Sequence, residues 1–476
     1  MYFTYKSLEE LEYDIAERNL AIAFEERLEA VRKPVQIGGV TLGNRLGIHP
    51  MEGCDAEPDG SPGELTFRRW RRFGGGGAKL IWGEATAVCP EGRANPRQLW
   101  IHKGTVRAFR QLVDETRRAH RETFGDDHDL LVGLQLTHSG RFSWQRPILA
   151  MHAPTLDART LRGDGTGATV GPDWPTAGDE YLQRLEERFV EAAVLAAEAG
   201  FDFVDIKQCH GYLAAELLAS RRRKGPYGGS FENRTRFIRN ILEGIRSAAG
   251  NRLLLASRVS VYDGIPFVAH PVTAVGIPVP VPLPYVDGFG TDPDNPLHED
   301  LDEPLRLVEI LVRSGVRLVN VTLGCPYWNP HIGRPYERPS EGGYLSPEHP
   351  LVGVDRHFRL TAAVQRHFPE LAVVGTGYSW LRQWCIHAAE GNIRRGRVTI
   401  AALGRGAIAY PDFARDALGN GKLRSDRVCL TVGFCTDLMR RKDHPLGQSP
   451  TGCVPRDPYY ADIYRGKAPR KGTHGP

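Results

Sequence analysis

The sequence has no run of about 18 consecutive apolar residues, so no segment reads as a membrane span. An apolar leader is missing as well. The opening "MYFTYKSLEELEYDIAERNL" places four acidic residues among its first fourteen and holds no continuous apolar core, so no secretory signal is expected. Charge of one sign is also scarce. A formal net charge of +4 over 476 residues does not argue for nucleic acid. There is no glycine-rich dinucleotide turn, because the first strand-like run ends in "HPMEG". "GGGG" at 74–77 runs into Ala-Lys-Leu and lacks the Lys-Ser/Thr step of a phosphate loop. Cysteine is sparse, at eight residues. Cys54, Cys89, Cys209, Cys325 and Cys385 are scattered singly and read as the reduced thiols of a cytoplasmic protein.

What is present is an ordinary globular composition, 41% hydrophobic and 25% charged. The 53 glycines and 34 prolines imply many tight turns and long loops rather than a bundle of long helices. Basic residues gather in "FRRWRRF" and "SRRRK", which read mostly as solvated helix or loop faces, with an anion site as the alternative.

Residues 7–32 read as a charged amphipathic helical stretch, and "PVQIGGVTLGN" as a short hairpin around Gly38–Gly39. Eight apolar runs follow, at 45–51, 78–85, 130–138, 201–207, 252–260, 316–324, 371–377 and 398–406. Helical patterns separate most of them, such as "EYLQRLEERFVEAAVLAAEAG", which Gly200 ends as a C-cap. Eight strand–helix units predict an α/β fold, a (β/α)8 TIM barrel with long βα loops; an open doubly wound sheet is the alternative. The expected division is an N-terminal helical extension (1–33), the barrel (34–420) and a C-terminal extension containing cysteines (421–476).

Chemistry in such a barrel gathers at the C-terminal ends of the strands. Charged and polar residues sit there: Glu52, Glu84, Gln135, His138, Lys207, His210, Tyr212, Arg258 and Arg405. In "FVDIK", period two sets Val204 and Ile206 on one face, and Phe203, Asp205 and Lys207 on the other. The apolar face must meet the helices, so Asp205 and Lys207 point into the barrel. Leu254, Ala256 and Arg258 behave likewise. Unpaired buried charge is costly. The cations at the mouth therefore call for an anionic partner such as a flavin or a phosphate.

The segments "NRLGIHPMEG", "LQLTHSGR", "HGYLAAELLASRRRKGPYGGSFENRTRF", "SRVS" and "LGRGAIAYPDF" together resemble the flavin-dependent Old Yellow Enzyme family and its relatives 2,4-dienoyl-CoA reductase and trimethylamine dehydrogenase. The resemblance spans roughly residues 34–420 and implies a barrel that holds FMN. By that resemblance Pro50 and Met51 lie beside the isoalloxazine, with Glu52 near its O4/N5 edge, where relatives often carry threonine, serine or cysteine. Ala85 and Gln135 meet the pyrimidine edge, and Arg258 faces N1/O2. Gly375, Gly404 and Arg405 hold the phosphate. His210 and Lys207 take the two substrate carbonyl-binding positions, and Tyr212 that of the proton donor. Lys207 departs from the usual histidine or tyrosine. It would stabilise a developing enolate, bind a substrate carboxylate, or pair silently with Asp205. Trp328, in a Pro-rich loop after the sixth strand, is a candidate substrate-binding wall residue. The insertion 264–300 is long enough to be a lid or binding wall.

The activity implied is ene-reduction. Hydride passes from NADH or NADPH through FMN to an alkene conjugated to a carbonyl, and Tyr212 supplies the proton. Two alternatives stay open: desaturation of a carbonyl compound, and a non-catalytic flavin or electron-transfer protein. The partners expected are small molecules with an activated alkene or carbonyl, neither nucleic acid nor membrane, and a homo-oligomer is compatible with the chain. Cys429, Cys435 and Cys453 fall where larger relatives bind a 4Fe–4S cluster, but the place near Val432 has no cysteine. They read as ordinary thiols, with a zinc site completed by His444 as the alternative. The tail from Tyr464 onward reads as disordered.

Overall fold

The computed structural model describes residues 2–469. All eight apolar runs are strands. They are β1 (Leu46–Ile48), β2 (Leu80–Ala87), β3 (Leu131–Thr137), β4 (Phe203–Ile206), β5 (Leu254–Ser260), β6 (Val316–Thr322), β7 (Ala372–Gly375) and β8 (Ile400–Leu403). Each is parallel to its neighbours, and they close in sequence order, with β8 on β1. Long helices separate many of the strands, including Val106–Phe124, Asp179–Ala199 and Pro350–His367. This is a (β/α)8 barrel.

Strand alternation divides the core in two. Val204 and Ile206 pack outward in the layer shared with the helices. Phe203, Ala256, Leu318 and Trp82 fill the barrel interior. The hairpin Val35–Ile37/Val40–Leu42 closes the N-terminal end by adding Ile37 and Leu42 to that interior cluster. Gly133 shows how tight the filling is, since a Cβ there would lie 2.2 Å from the Phe203 ring. With one end plugged by apolar side chains, chemistry is confined to the other end.

Several expectations change. The N-terminal helix covers only Leu8–Glu17 and ends before Asn19, which takes φ +53°. The following residues are held by tertiary bonds instead: the Glu390 carboxylate accepts from the Ala30 and Val31 N–H groups. The insertion 264–300 carries a small hairpin, Phe267–Ala269/Gly276–Pro278, that leans on Tyr344 and His331 rather than over the barrel mouth. "FRRWRRF" is not a solvated face throughout, because Arg69 is buried between Asp55 and Glu84 at 2.5 Å each. In "SRRRK", Arg221, Arg222 and Arg223 are each ion-paired, to Glu303, Asp287 and Asp179. Tyr464 ends a helix, Pro458–Tyr464, so the tail is ordered at its start. The remainder of that expectation, from residue 470 on, lies outside the described residues. No helix among the described residues is long and apolar enough to cross a membrane.

Candidate active site

The C-terminal mouth of the barrel opens into a cavity of about 400 Å³. Every strand but β3 sends residues to its lining from its C-terminal end or from the loop that follows. After β4 the chain must reverse sharply, and His210 and Gly211 both adopt left-handed φ, +64° and +69°. A non-glycine residue in that region is strained and is a signature of functional sites. Gly211 has no substitute here, since a Cβ would lie 2.7 Å from the Trp328 ring. The turn sets Lys207, His210 and Tyr212 on one wall of the cavity.

Their surroundings decide their charge states. Lys207 is 6% exposed, and burial pulls its ammonium below the ordinary lysine value, opposed chiefly by Glu52. Its Nζ sits 3.5 Å from the centre of the Tyr212 ring, a cation–π contact. It is not paired with Asp205, because the Asp205 carboxylate is spent on Trp82 Nε1 (2.8 Å), Gln135 Nε2 (2.6 Å) and the Arg258 N–H (2.7 Å). His210 is driven well below its usual value by burial and by the neighbouring Arg258 and Lys207 charges, so its imidazole is neutral. Tyr212 is 3% exposed, and its hydroxyl lies 3.0 Å from that of Tyr327. Burial, then the Glu52 carboxylate, raise the Tyr212 phenol well above 10.0, so it carries its proton.

Glu52 lines the cavity next to this wall. Burial pushes its carboxyl up to about 7; Lys207 pulls the other way, Glu84 adds to the rise, and a hydrogen bond from Tyr212 opposes it. The folded protein therefore binds the Glu52 proton more tightly than the unfolded chain does. The resulting stability is complete below the ordinary value of 4.5 and is lost as pH rises through about 7. In flavin-free protein, Glu52→Gln should remove that decline. Urea midpoints of wild type and variant should then diverge as pH rises from 4.5 to about 7 and run parallel above it, with the variant the more stable. A constant difference between them would show that Glu52 is ionised throughout.

Pro50, Met51, Arg258, Gly404 and Arg405 also line the cavity. Arg258 is buried, with Nε unpartnered and a single long contact to Thr322 Oγ1 at 3.4 Å. Among the described residues, Lys207, Arg258, Arg334 and Arg405 have no carboxylate within ion-pair distance, although all line the cavity. This set of cations without carboxylate partners, Lys207 and Arg258 buried and Arg334 and Arg405 half-buried, fits a planar anionic cofactor with a phosphate tail, as FMN is, better than a neutral occupant.

Four residues expected at the site lie elsewhere. Gln135 and Ala85 do not line the cavity; the Gln135 amide is committed to Asp205, and the Ala85 carbonyl accepts from Gln98 Nε2. Gly375 is packed against Val398, and the two residues after it, Thr376 and Gly377, take the wall instead. Trp328 turns away to pack at a tilt against Phe142 and cover Gly211, leaving the wall to Tyr327, one residue earlier. His138 is a satisfied structural histidine, bonded to Tyr181 and the Gly140 N–H. The insertion 264–300 contributes nothing to the cavity lining.

Cys429, Cys435 and Cys453 are free thiols beside one small recess, and Cys429 and Cys453 pack on Ala409. His444 does not join them, since its Nδ1 accepts from the Leu446 N–H. Among the described residues no three His, Cys, Asp or Glu groups gather as a metal site, so the zinc alternative is not built. Sequence reading missed a further wall. Met439, Arg440, Lys442, Gln448 and Thr451, from the C-terminal extension, cover the cavity from outside the barrel. The basic triplet 440–442 was its only local signal.

The barrel and its cationic mouth define a class of protein, a (β/α)8 barrel with an anion-binding open end. A model of the NADH:flavin oxidoreductase / NADH oxidase family matches residues 31–268, and the chain belongs to that family, the Old Yellow Enzyme family. It is 34% identical over 244 residues to an NADPH dehydrogenase of Geobacillus sp., covering 48% of this chain and 63% of that protein. To an NADH:flavin oxidoreductase of Gibberella zeae it is 29% identical over 308 residues, 61% of this chain and 66% of the relative. To the dimethylamine dehydrogenase of Hyphomicrobium sp. it is 30% identical over 254 residues, 50% of this chain and 31% of the relative. The chain thus spans less than two thirds of each relative's length. Among solved structures, a 2-naphthoyl-CoA reductase shares the fold at a TM-score of 0.66 and 17% identity, over 92% of this chain and 58% of that one. The Old Yellow Enzyme homologue of Zymomonas mobilis does so at 0.56 and 20%, over 84% and 95%.

Proposed function

We propose that the protein is an FMN-dependent ene-reductase acting on an alkene conjugated to a carbonyl, with NADH or NADPH as electron donor. The observation that carries this reading is the wall of Lys207, His210 and Tyr212, with Arg258 beside it on the neighbouring strand, all lining one cavity. Bound FMN would supply hydride transfer between the nicotinamide and the alkene. Pro50 and Met51 would flank its ring, Arg258 its N1/O2 edge, and Gly404 and Arg405 its phosphate. Arg258 is desolvated and unpaired, so its charge acts at nearly full strength on an anion beside it.

The substrate side follows from the charge states. The neutral His210 imidazole offers an N–H, and the Lys207 ammonium offers charge, to an oxygen that becomes enolate-like. Tyr212 holds a proton that it releases only to a strongly basic carbon, which suits a general acid acting late. Tyr327, 44% exposed, links the Tyr212 hydroxyl to solvent and can restore its proton. Lys207 on the face of the Tyr212 ring fixes the ring's orientation.

Glu52 supports the reverse direction as a second reading. Above about pH 7 its carboxyl is ionised and can itself act as the base that removes a proton from a saturated carbonyl compound. The experiment is direct. The purified protein should be yellow, release FMN on boiling, and bleach anaerobically with NADPH or NADH. 2-Cyclohexen-1-one should restore the colour. Colourless protein with no releasable FMN ends both readings. Bleaching without recovery by any conjugated enone or enoate ends the first.

A further inference from the structure

Three guanidiniums converge at one end of the cavity from three parts of the chain. Arg405 follows β8, Arg334 lies in the loop after β6, and Arg440 ends the helix Phe434–Arg440 of the C-terminal extension. Each is satisfied only by neutral acceptors. Arg405 donates to the Pro335 carbonyl (2.7 Å), Arg440 to the Glu341 carbonyl (2.6 Å), and Arg334 to Thr436 Oγ1. The Arg334 Nε is buried without a partner. None of the three has a carboxylate within ion-pair distance among the described residues, whereas their neighbour Arg338 is paired to Asp437. Burial, then the charges of Arg405 and Arg440, pull Arg334 down to about 10, so the three repel one another as they stand. Like charges left this close call for a multivalent anion between them.

The helix that carries Arg440 is also tied to the site. It bears Thr436, the acceptor of Arg334, and the segment after it returns to the Glu52 loop through the Thr451 N–H to the Gly53 carbonyl at 2.6 Å. The family match ends at residue 268, so nothing in it speaks for this segment.

We propose that Arg440 reaches in from the C-terminal extension to hold the FMN phosphate together with Arg405 and Arg334, so that the phosphate fastens residues 429–453 over the barrel mouth. The inference rests on FMN being the cofactor, but not on the reaction that it serves. Two consequences follow. Affinity conferred by Arg440 belongs to the phosphate alone, so riboflavin, which lacks it, gains nothing. And the basic triplet Arg440–Arg441–Lys442, exposed at Arg440 and Lys442 and therefore open to trypsin, is guarded when the phosphate is present.

The test uses full-length protein loaded with FMN or with riboflavin. Arg440→Ala should weaken FMN about tenfold, as expected for one charge-assisted contact at a rim, and leave riboflavin unchanged. Arg440→Lys should recover part of the loss. Trypsin should cut wild-type protein within 440–442 faster with riboflavin bound than with FMN bound. Equal weakening of both flavins would make Arg440 structural and overturn the proposal. So would undiminished FMN affinity, or cleavage indifferent to the phosphate. Wild-type protein that binds neither flavin would instead overturn the cofactor assignment, a separate failure.

Discussion

Tyr212→Phe should slow reoxidation of the reduced protein by 2-cyclohexen-1-one by ~10²- to 10⁴-fold, the range of a lost general acid, and leave its reduction by NADPH unchanged. The split follows from where the hydroxyl sits. Tyr212 is 3% exposed and its oxygen meets the Tyr327 hydroxyl at 3.0 Å. The substitution removes one oxygen and keeps the ring, so the cation–π contact with Lys207 survives. Tyr327 is 44% exposed and can turn to water, and the Glu52 carboxyl loses one donor. The fold and the flavin environment should therefore persist, and only the protonation step loses its donor. Stopped-flow measurement of the two half-reactions gives the answer. If both slow together, Tyr212 is shaping the cavity rather than giving a proton. If neither slows, the proton comes from elsewhere, and Glu52, whose carboxyl is hydrogen-bonded to the same hydroxyl, is the next candidate.

The barrel was legible because its signals are local. Each strand is a short apolar run of period two, and the interior placement of Phe203, Asp205 and Leu254 follows from that period. The wall formed by Lys207, His210 and Tyr212 was legible for the same reason, since three residues of one turn must share a neighbourhood. What failed depended on partners far along the chain. Gln135 left the cavity because Asp205, 70 positions later, claims its amide. Trp328 and Tyr327 are adjacent, and the rings of Phe142 and Tyr212 decide which one turns inward. The C-terminal wall is invisible locally. Its placement rests on single contacts such as Arg334 to Thr436, 102 positions apart. Arg69 was misread because a basic run on a helix says nothing about which of its members is buried.

That misread residue carries the largest stability effect. Arg69 donates to Asp55 Oδ2 and Glu84 Oε1 at 2.5 Å each, and Asp55 also accepts from Thr66. The three charged groups are all buried. Arg69→Ala would leave two carboxylates facing each other in the core, at a cost of ~3–5 kcal/mol. Arg71→Ala, two positions on and 38% exposed, should change stability by no more than about 0.5 kcal/mol. Urea unfolding of both variants makes the comparison. The network also reaches the active site, because the Gly53 N–H donates to Glu84 Oε2 at 2.9 Å and Gly53 follows Glu52. Loss of Arg69 should therefore free the loop that carries Met51 and Glu52, and retained FMN should fall in the same variant that loses stability. Replacing Arg69 together with both acids by apolar residues of similar size should recover much of the stability, since it is the stranded charge that costs most. It would not recover the Gly53 bond, so flavin retention should stay low. Should Arg69→Ala prove as mild as Arg71→Ala, the carboxylates take up protons or water freely. The loop over the barrel mouth would then owe its position to the C-terminal extension, through Thr451, and not to the helix beneath it.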